Sequence, residues 1–290
     1  MKRFILVMLY FLCSVSASAY EYEISACCIF QNEASFLKEW IDYHRLIGVD
    51  HFYVYDNIST DHPREILDAY VKEGVVEYIY WNRTYTTDKE WWVVQCDAYK
   101  DALRRAKNRS KWLAIIDTDE FIVPIQDRDL KLFLLDFEDF GGVCIHWVFY
   151  GSSGIQKISQ DTWMILQLLK RADMSYPLNR IVKSIVRPER VDLKNSFLPH
   201  TCAYIEGYYH VNAKKQKLKK NVVRDCCNER IRLHHYWARD LDFLHNHKYP
   251  RYARWIGKER ALEKIKIEEK MNDCFDPIIV NVVERLRSKN

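Results

Sequence analysis

Two aspartates separated by one residue form the clearest chemical pattern in this sequence. Asp117, Thr118 and Asp119 directly follow the apolar run 112–116 and precede a second apolar run at 121–123. Side chains two apart at a strand end point to the same side, so both carboxylates can bind one hard cation. Oxygen ligands favour Mn²⁺ or Mg²⁺, which also bind substrate phosphates. A solvated turn is the alternative, but acids at a buried strand end are unfavourable without compensation, so the pattern favours a metal site.

The segments that would position this pair alternate between strand and helix. Apolar runs of strand length occur at 24–30, 51–55, 75–81 and 112–116, with helical patterns at 34–47, 63–72 and 91–106. Such alternation predicts an α/β fold with a mainly parallel sheet flanked by helices. The C-terminal half is predicted to add strands at 143–150 and 181–187 and a long charged helix from about 251 to 271.

Polar clusters follow the first two predicted strands as well. Asn32 and Glu33 come after the first strand, and Asp56 and Asn57 come after the second. Ligands bind at the carboxyl ends of parallel strands, so these side chains are candidates for nucleotide contacts. Turn and helix-start roles are the alternative for both clusters.

The first residues have the pattern of a secretory signal peptide. Lys2 and Arg3 precede an apolar run at 4–13, and small residues follow at 16–19. The run is short for a membrane span, which needs about 20 residues. We therefore expect a signal peptide over 1–19, with a short signal anchor as the alternative, and a membrane partner only if that anchor is uncleaved. The net charge of +4 is too small to indicate nucleic acid as a partner.

The cysteines are compatible either with disulfides or with free thiols in the core. Of nine cysteines, Cys13 lies in the leader segment and the remaining even number permits disulfides in an exported protein. However, adjacent pairs at 27–28 and 226–227 make no regular framework. Several cysteines lie in apolar runs, where a free buried thiol is an ordinary core residue.

Further motifs occur in order between about residues 24 and 251: Asn32-Glu33, 39–44, 48–57, 111–112, 117–121, His235-Tyr236 and Lys248. Together they resemble glycosyltransferase family 92, the former domain of unknown function 23. The resemblance implies a GT-A fold, a nucleotide-sugar donor such as UDP-galactose, a divalent metal and inversion at the anomeric centre.

The resemblance also implies roles for individual residues. Asp117 and Asp119 would hold Mn²⁺ (or Mg²⁺) on the donor diphosphate, with His235 as a further ligand and His234 as a weaker candidate. Gln95 would face the donor. The aromatic-then-glycine feature at Trp147 and Gly151 would contact the acceptor, with core packing as the alternative for Trp147.

The lysine-rich run 214–220 either binds diphosphate or is a solvated turn, which is the commoner case.

The base that inversion requires is not identified by the sequence. Glu120, Asp161 and Asp173 are weak candidates for the catalytic carboxylate. Glu120 follows the aspartate pair directly, but it would point away from Asp119 if the strand continues.

We therefore predict one GT-A domain over 20–290: a nucleotide-binding half at about 24–124, an acceptor half at about 125–250 and a helical tail at about 251–290. The predicted activity is metal-dependent transfer of a sugar from a UDP-sugar to a glycan or other hydroxyl acceptor in the secretory pathway or after export. The alternatives are a non-catalytic carbohydrate-binding protein on the same scaffold and a metal-dependent nucleotide-sugar hydrolase.

Overall fold

The computed structural model describes residues 20–195, 197–218 and 226–288. Residues 1–19, on which the predicted signal peptide falls, lie outside that part, as do residues 219 and 220 of the lysine-rich run. Within the described part, none of the helices combines the length and the apolar character needed to cross a membrane.

The described strands, in chain order, are β1 (Tyr22–Phe30), β2 (His51–Asp56), β3 (Val76–Tyr80), β4 (Ser110–Ile115), β5 (Glu120–Pro124), β6 (Gly142–Phe149), β7 (Lys170–Arg171), β8 (Val182–Val186), β9 (His210–Asn212), β10 (Ile231–His235) and β11 (Cys274–Phe275). The α-helices are α1 (Ala34–Leu46), α2 (Pro63–Lys72), α3 (Asp88–Ala106), α4 (Leu130–Leu135), α5 (Leu241–Phe243), α6 (Tyr249–Ile256), α7 (Lys258–Ile265) and α8 (Ile278–Arg287). A π-helical turn spans Leu244–Lys248, and short 3-10 segments span Met164–Leu166, Pro177–Arg180, Pro188–Arg190 and Lys266–Met271.

One large sheet organises the chain, with the strand order β3-β2-β1-β4-β8-β6-β10-β5 and β9 beside β6. The first four strands of that order pair in parallel. Strand β8 runs antiparallel between β4 and β6, while β10 is parallel to β6 and antiparallel to β5. The predicted mainly parallel α/β sheet, with strands and helices added by the C-terminal half, is confirmed.

Side-chain alternation in the central strands supplies a core on each face of the sheet. In β1, Ala26 and Cys28 face the core that contains Trp40 of α1, whereas Cys27 faces the core that contains Tyr99 of α3. Both faces are covered by helices, so the strands read as continuous apolar runs rather than alternating ones. The thiols of Cys27, Cys28, Cys96, Cys144 and Cys202 are free and buried, as expected for core cysteines.

Two helix boundaries differ from the sequence-based expectation. Helix α3 begins at Asp88 because Thr87 and Glu90 form a capping box that satisfies the first backbone N–H groups. The single long helix predicted over 251–271 is wrong. It is divided into α6, α7 and a 3-10 segment because Gly257, with φ of +84°, ends one helix and begins the next.

A partly buried ion-pair cluster ties the C-terminal helix to the sheet. Asp276, just before α8, accepts hydrogen bonds from Arg171 Nε at 2.7 Å and from Arg232 Nη1 at 2.9 Å. Burial opposes the charged carboxylate, but the two guanidinium groups outweigh this effect and lower the pKa of Asp276. We expect Asp276→Asn to lower the free energy of unfolding by about 2 kcal/mol at pH 7, because two half-buried arginines lose their counter-charge.

Urea unfolding measured between pH 7 and pH 3 checks this expectation. A carboxyl group whose pKa is depressed by folding stabilises the protein above its unfolded pKa, about 4, and the contribution is lost as the pH falls through the folded value. The difference between Asp276→Asn and the wild type should therefore narrow toward pH 3. Asp161→Asn, which alters an exposed acid in a local turn, should unfold like the wild type at every pH. A pH-independent difference would contradict the ion-pair explanation.

Candidate active site

The two aspartates lie in a turn that leads from β4 to β5. Strand β4 ends at Ile115, and the Glu120 N–H donates to the Asp117 carbonyl at 3.1 Å to close the turn. The indole of Trp40, fully buried in α1, donates to the carbonyl oxygens of Asp117 and Glu120 at 3.1 and 3.0 Å. The two aspartates therefore follow the end of β4, and α1 holds the conformation of the turn.

Glu33, after β1, fixes the middle of this turn. Its carboxylate accepts a hydrogen bond from the Thr118 hydroxyl and a second from the Arg239 guanidinium, and all three residues are buried. Arg239 comes from the loop after β10, and its guanidinium carbon lies 3.5 Å from the centre of the Phe36 ring. The turn is therefore braced by residues more than 80 positions away on each side of the chain.

Asp117 is held by three side chains. Its Oδ1 accepts hydrogen bonds from the Tyr99 hydroxyl and from Gln95 Nε2, the latter at 3.0 Å. Its Oδ2 lies 2.9 Å from Nζ of Lys183, a fully buried lysine on β8. Burial is the largest single effect and opposes the charged form of this carboxylate, but the charge of Lys183 and the hydrogen bonds from Tyr99 and Lys183 together lower the pKa of Asp117. Asp117 is therefore anionic at neutral pH.

Asp119 is held by a lysine and a histidine. Its Oδ2 lies 2.9 Å from Nζ of Lys248, and its Oδ1 lies 3.4 Å from Nε2 of His235. Burial of this carboxyl is again outweighed, mainly by Lys248 and then by His235, so the pKa of Asp119 lies well below its usual range. Each aspartate of the turn thus has its own lysine.

Strand alternation in β10 decides which of its two histidines reaches the site. His235 pairs in register with Glu120 of β5 and Phe149 of β6, and its ring packs against Trp147 and Phe149 at centroid distances of 4.5 and 4.6 Å. His234 points to the opposite face, where it is fully buried beside Tyr150 at 4.4 Å. The structure therefore brings His235, and not His234, to the aspartates.

A cavity of about 310 Å³ opens above the turn and is called the aspartate cavity here. Its polar lining includes Glu33, Asp88, Gln95, Asp117, Thr118, Asp119, His235, Lys248, Arg251 and Lys264. Its aromatic lining consists of Trp91, Trp92, Trp237, Tyr252 and Trp255. A concave site with convergent charges and aromatic walls has the character of a ligand-binding site.

Glu120 lies beneath the turn and supports it through hydrogen bonds. It is fully buried and accepts hydrogen bonds from Trp147 Nε1 at 2.8 Å and from the Asp117 N–H at 2.9 Å. Burial, followed by the nearby aspartates, raises its pKa well above the usual range. The side chain of Glu120 does not line the aspartate cavity.

Three residues predicted to contact the nucleotide are engaged in the loops around the site. Asn32 accepts a hydrogen bond from the Thr60 N–H at 2.7 Å. Asp56 is buried and accepts from the Ser59 N–H and from the Tyr78 hydroxyl. Asn57 is fully buried and donates to the carbonyl oxygens at positions 81 and 83. Of the predicted nucleotide contacts, the structure brings Glu33, Gln95 and Asp117 into the aspartate cavity.

The remaining predicted residues lie outside that cavity. Trp147 lies beneath it, buried between Glu120 and His235. Gly151 packs against Asn272 so closely that an added Cβ would lie 2.4 Å from Asn272 Oδ1. In exposed loops, Asp161 accepts a hydrogen bond from the Ser159 hydroxyl, and Asp173 accepts one from the Ser175 hydroxyl. Neither of these two candidate bases lines the aspartate cavity.

Sequence reasoning missed several residues of the site. Lys183 interrupts an apolar strand, and a buried lysine requires a counter-charge, so this signal was available in the sequence. Arg239 lies in a loop with φ of +53° and had no recognisable pattern. Asp88 and the aromatic lining were also not identified, because their approach depends on how α3 and α6 pack.

The donor set fits a divalent cation in its chemistry and in part of its geometry. Among the described residues, no three His, Cys, Asp or Glu side chains stand close enough together to form a complete metal-binding group. The 3.4 Å between Asp119 Oδ1 and His235 Nε2 is near the roughly 3 Å expected for two neighbouring ligands on bonds of about 2.1 Å. His235 Nδ1 is buried and has no hydrogen-bond partner. Carboxylate oxygens suit Mn²⁺ or Mg²⁺, and the imidazole ligand suits a transition metal such as Mn²⁺ better than Mg²⁺.

A comparison with protein families matches the model described as glycosyltransferase family 92 over residues 20–256. The chain belongs to glycosyltransferase family 92. The match includes the turn with both aspartates, His235 and Lys248, and it ends within α6. The resemblance stated from the sequence motifs is confirmed.

Curated relatives of this family 92 chain come from plants. A family 92 protein of Ricinus communis is 29% identical over 205 residues, which cover 66% of this chain and 33% of that protein. One from Oryza sativa subsp. japonica is 31% identical over 200 residues, covering 66% of this chain and 31% of that protein. The family 92 chain thus spans about a third of the length of the curated relatives it matches.

Solved structures similar to the family 92 chain are distant in sequence. TarS residues 1–349 of S. aureus are 12% identical, with a TM-score of 0.42 and coverage of 91% of this chain and 70% of that one. Glucosyl-3-phosphoglycerate synthase of Mycobacterium tuberculosis, in complex with Mn²⁺, uridine diphosphate and glucosyl-3-phosphoglycerate, is 16% identical. Its TM-score is 0.33, with coverage of 59% of this chain and 58% of that one.

Proposed function

We propose that this chain is a divalent-metal-dependent glycosyltransferase that moves a sugar from a UDP-sugar to a hydroxyl group of a glycan acceptor. The observation that carries the proposal is the convergence of Asp119 and His235 within the aspartate cavity, beside Asp117. The cationic residues of the same lining, called the cationic wall, are Lys248, Arg251 and Lys264. Family membership supports the reaction class. The signal-peptide pattern at 1–19 supports synthesis in the secretory pathway or export.

Asp117, Asp119 and His235 would hold Mn²⁺ or Mg²⁺. The bound ion would neutralise the charge that develops on the departing nucleoside diphosphate. Lys248, Arg251 and Lys264 line the same cavity and would add positive charge around the phosphates. Lys248 is buried, so water screens its charge less than it screens the charge of the exposed Lys264.

The aromatic lining supplies apolar faces for the sugar or the nucleobase. Trp255 lines both the aspartate cavity and an adjoining cavity of about 350 Å³. The adjoining cavity lies by the loops after β1, β2 and β3, with Gln31, Arg83 and Tyr85 among its lining residues. We place the nucleoside there and the diphosphate at the aspartate turn. Asn57 would act indirectly, because it holds the backbone of the Arg83 loop.

Galactose as the transferred sugar and inversion at the anomeric carbon are supported by the family resemblance. Inversion requires a base on the acceptor side that receives the hydroxyl proton. Glu33, Asp117 and Asp119 are each paired with a cation, so they are poorly suited to accept this proton. Incubation with UDP-galactose and analysis of the product anomer by NMR tests both points.

Thermal unfolding with UDP, with and without Mn²⁺, tests the donor site. A ligand that binds only the folded state stabilises it, by about 2.7 kcal/mol at 100 times Kd. We expect UDP with Mn²⁺ to raise Tm by roughly 5–10 °C and UDP alone to raise it much less. The Asp117→Asn/Asp119→Asn variant should show no rise. A folded wild-type protein with no shift for any nucleoside diphosphate would exclude a transferase and favour the non-catalytic carbohydrate-binding alternative.

Release of the nucleoside diphosphate distinguishes transfer from hydrolysis. A transferase releases UDP from the donor at a rate that rises with the acceptor concentration. A hydrolase releases it at the same rate without an acceptor. We expect acceptor-dependent release when glycan mixtures are screened with the Mn²⁺-loaded protein.

A further inference from the structure

The two lysines at the aspartate turn differ in their surroundings. Lys183 Nζ lies 2.9 Å from Asp117 and 3.6 Å from Glu120, so a second carboxyl group stays beside it if Asp117 is engaged elsewhere. Lys248 Nζ lies 2.9 Å from Asp119, the carboxylate with which it forms an ion pair among the described residues. Lys248 also lines the aspartate cavity, which Lys183 does not.

Loss of the ion pair with Asp119 would be unfavourable for Lys248. The residue is 7% exposed and ends the π-helical turn Leu244–Lys248, so water neutralises its ammonium group only weakly. Its Nζ lies 5.0 Å from the centre of the Trp237 ring, a second but weaker partner. If Asp119 binds a divalent cation, the ammonium group loses its counter-charge and faces a like charge nearby.

A diphosphate removes this conflict. A bound diphosphate would bring negative charge to the aspartate cavity. Some of its oxygens would pair with Lys248, and others would contact the cation held by Asp119 and His235. The free energy of binding of the cation therefore depends on whether the diphosphate is present. By linkage, the affinity for the diphosphate depends equally on the cation.

We propose that Lys248 couples metal binding to donor binding. In the resting protein it pairs with Asp119 and opposes binding of a metal ion alone. When metal and nucleoside diphosphate enter together, the ammonium group moves from Asp119 to the diphosphate, so the two ligands bind with positive cooperativity. The inference rests on the proposed metal-dependent function and adds a role for a residue that is not itself a metal ligand.

Mn²⁺ binding to Lys248→Met tests the inference without an activity assay. Free Mn²⁺ would be measured by electron paramagnetic resonance during titrations with and without saturating UDP. In the wild type, we expect UDP to tighten Mn²⁺ binding by at least tenfold. In Lys248→Met, Mn²⁺ alone should bind about tenfold more tightly than in the wild type. The gain from UDP should be about tenfold smaller, because only direct contact between the diphosphate and Mn²⁺ then couples the two ligands. UDP affinity in the presence of Mn²⁺, measured by calorimetry, should fall about tenfold.

Lys131→Met is the matched control, since Lys131 also pairs with an aspartate, Asp50, at 2.6 Å but does not line the aspartate cavity. It should keep the cooperativity of the wild type. Lys248→Gln, which retains a polar side chain, should show the same changes as Lys248→Met and serves if the methionine variant does not fold.

These measurements distinguish a failure of the coupling role of Lys248 from a failure of the proposed metal-dependent function. If the neutral variants bind Mn²⁺ alone no more tightly than the wild type, the coupling role of Lys248 is wrong, although the metal site stands. If the gain from UDP is as large in these variants as in the wild type, the coupling role of Lys248 is likewise wrong. If the wild type binds no Mn²⁺ even with UDP, both the coupling and the proposed metal-dependent function are wrong.

Discussion

Replacing Asp119 by asparagine is expected to lower kcat/KM for sugar transfer by roughly 10³-fold. Asp119 contacts both His235 and Lys248, so the substitution removes the one carboxylate shared by the candidate metal site and the cationic wall. Asparagine keeps the shape of the side chain and therefore should not collapse the turn. The measurement is transfer from a radiolabelled UDP-sugar, together with thermal unfolding to show that the variant is folded.

Asp173→Asn provides the control for this experiment. Asp173 is also an acid, but it is exposed and bonds Ser175 in a local turn, well apart from the aspartate cavity lining. Its activity should stay within twofold of the wild type, which also tests the sequence-based suggestion that it is the catalytic carboxylate. A folded Asp119→Asn protein with wild-type kcat/KM would rule out the proposed metal site.

Replacing Arg239 by methionine is expected to lower the free energy of unfolding by about 3–5 kcal/mol. Arg239 is fully buried, donates to Glu33 and lies over the Phe36 ring. Methionine fills much of the volume but leaves the Glu33 carboxylate buried without its cation. For a chain of this size, such a loss corresponds to a fall in Tm of roughly 6–20 °C.

Urea and thermal unfolding of three variants test this explanation. Arg64→Met removes an arginine whose side chain is 52% exposed and whose pair with Asp68 spans one helical turn, so its effect should be below about 0.5 kcal/mol. The double variant Glu33→Gln/Arg239→Met should recover part of the loss, because the unpaired charge is removed. A loss below 1 kcal/mol for Arg239→Met would contradict the assignment of Arg239 as a brace of the turn.

Local patterns in the sequence were sufficient to predict the elements near the site. The apolar runs before positions 31, 57 and 117 predicted β1, β2 and β4, and Pro63 predicted the start of α2. Such patterns are informative because a strand covered on both faces must be apolar throughout, and because proline is favoured in the first helical turn. The ends of these parallel strands meet at one sheet edge, so the site could be placed there in advance.

Elements without a strong local pattern were predicted less well. The helix expected over 251–271 has continuous helical character, and its division depends on the positive φ of Gly257. The antiparallel insertion of β8 between β4 and β6 joins strands far apart in the chain. No local periodicity specifies such pairings, since strand order depends on which apolar faces pack together.

The sequence by itself determined the aspartate pair, the histidine candidates, the family and the central parallel strands. Only the tertiary structure decided the charge balance of the site. Lys183, Lys248 and Arg239 meet their acidic partners across 66, 129 and 206 positions of the chain, respectively. A buried charge must have a partner, but the sequence does not state which one, because the choice follows from the packing of β8, β10 and the π-helical turn around the sheet.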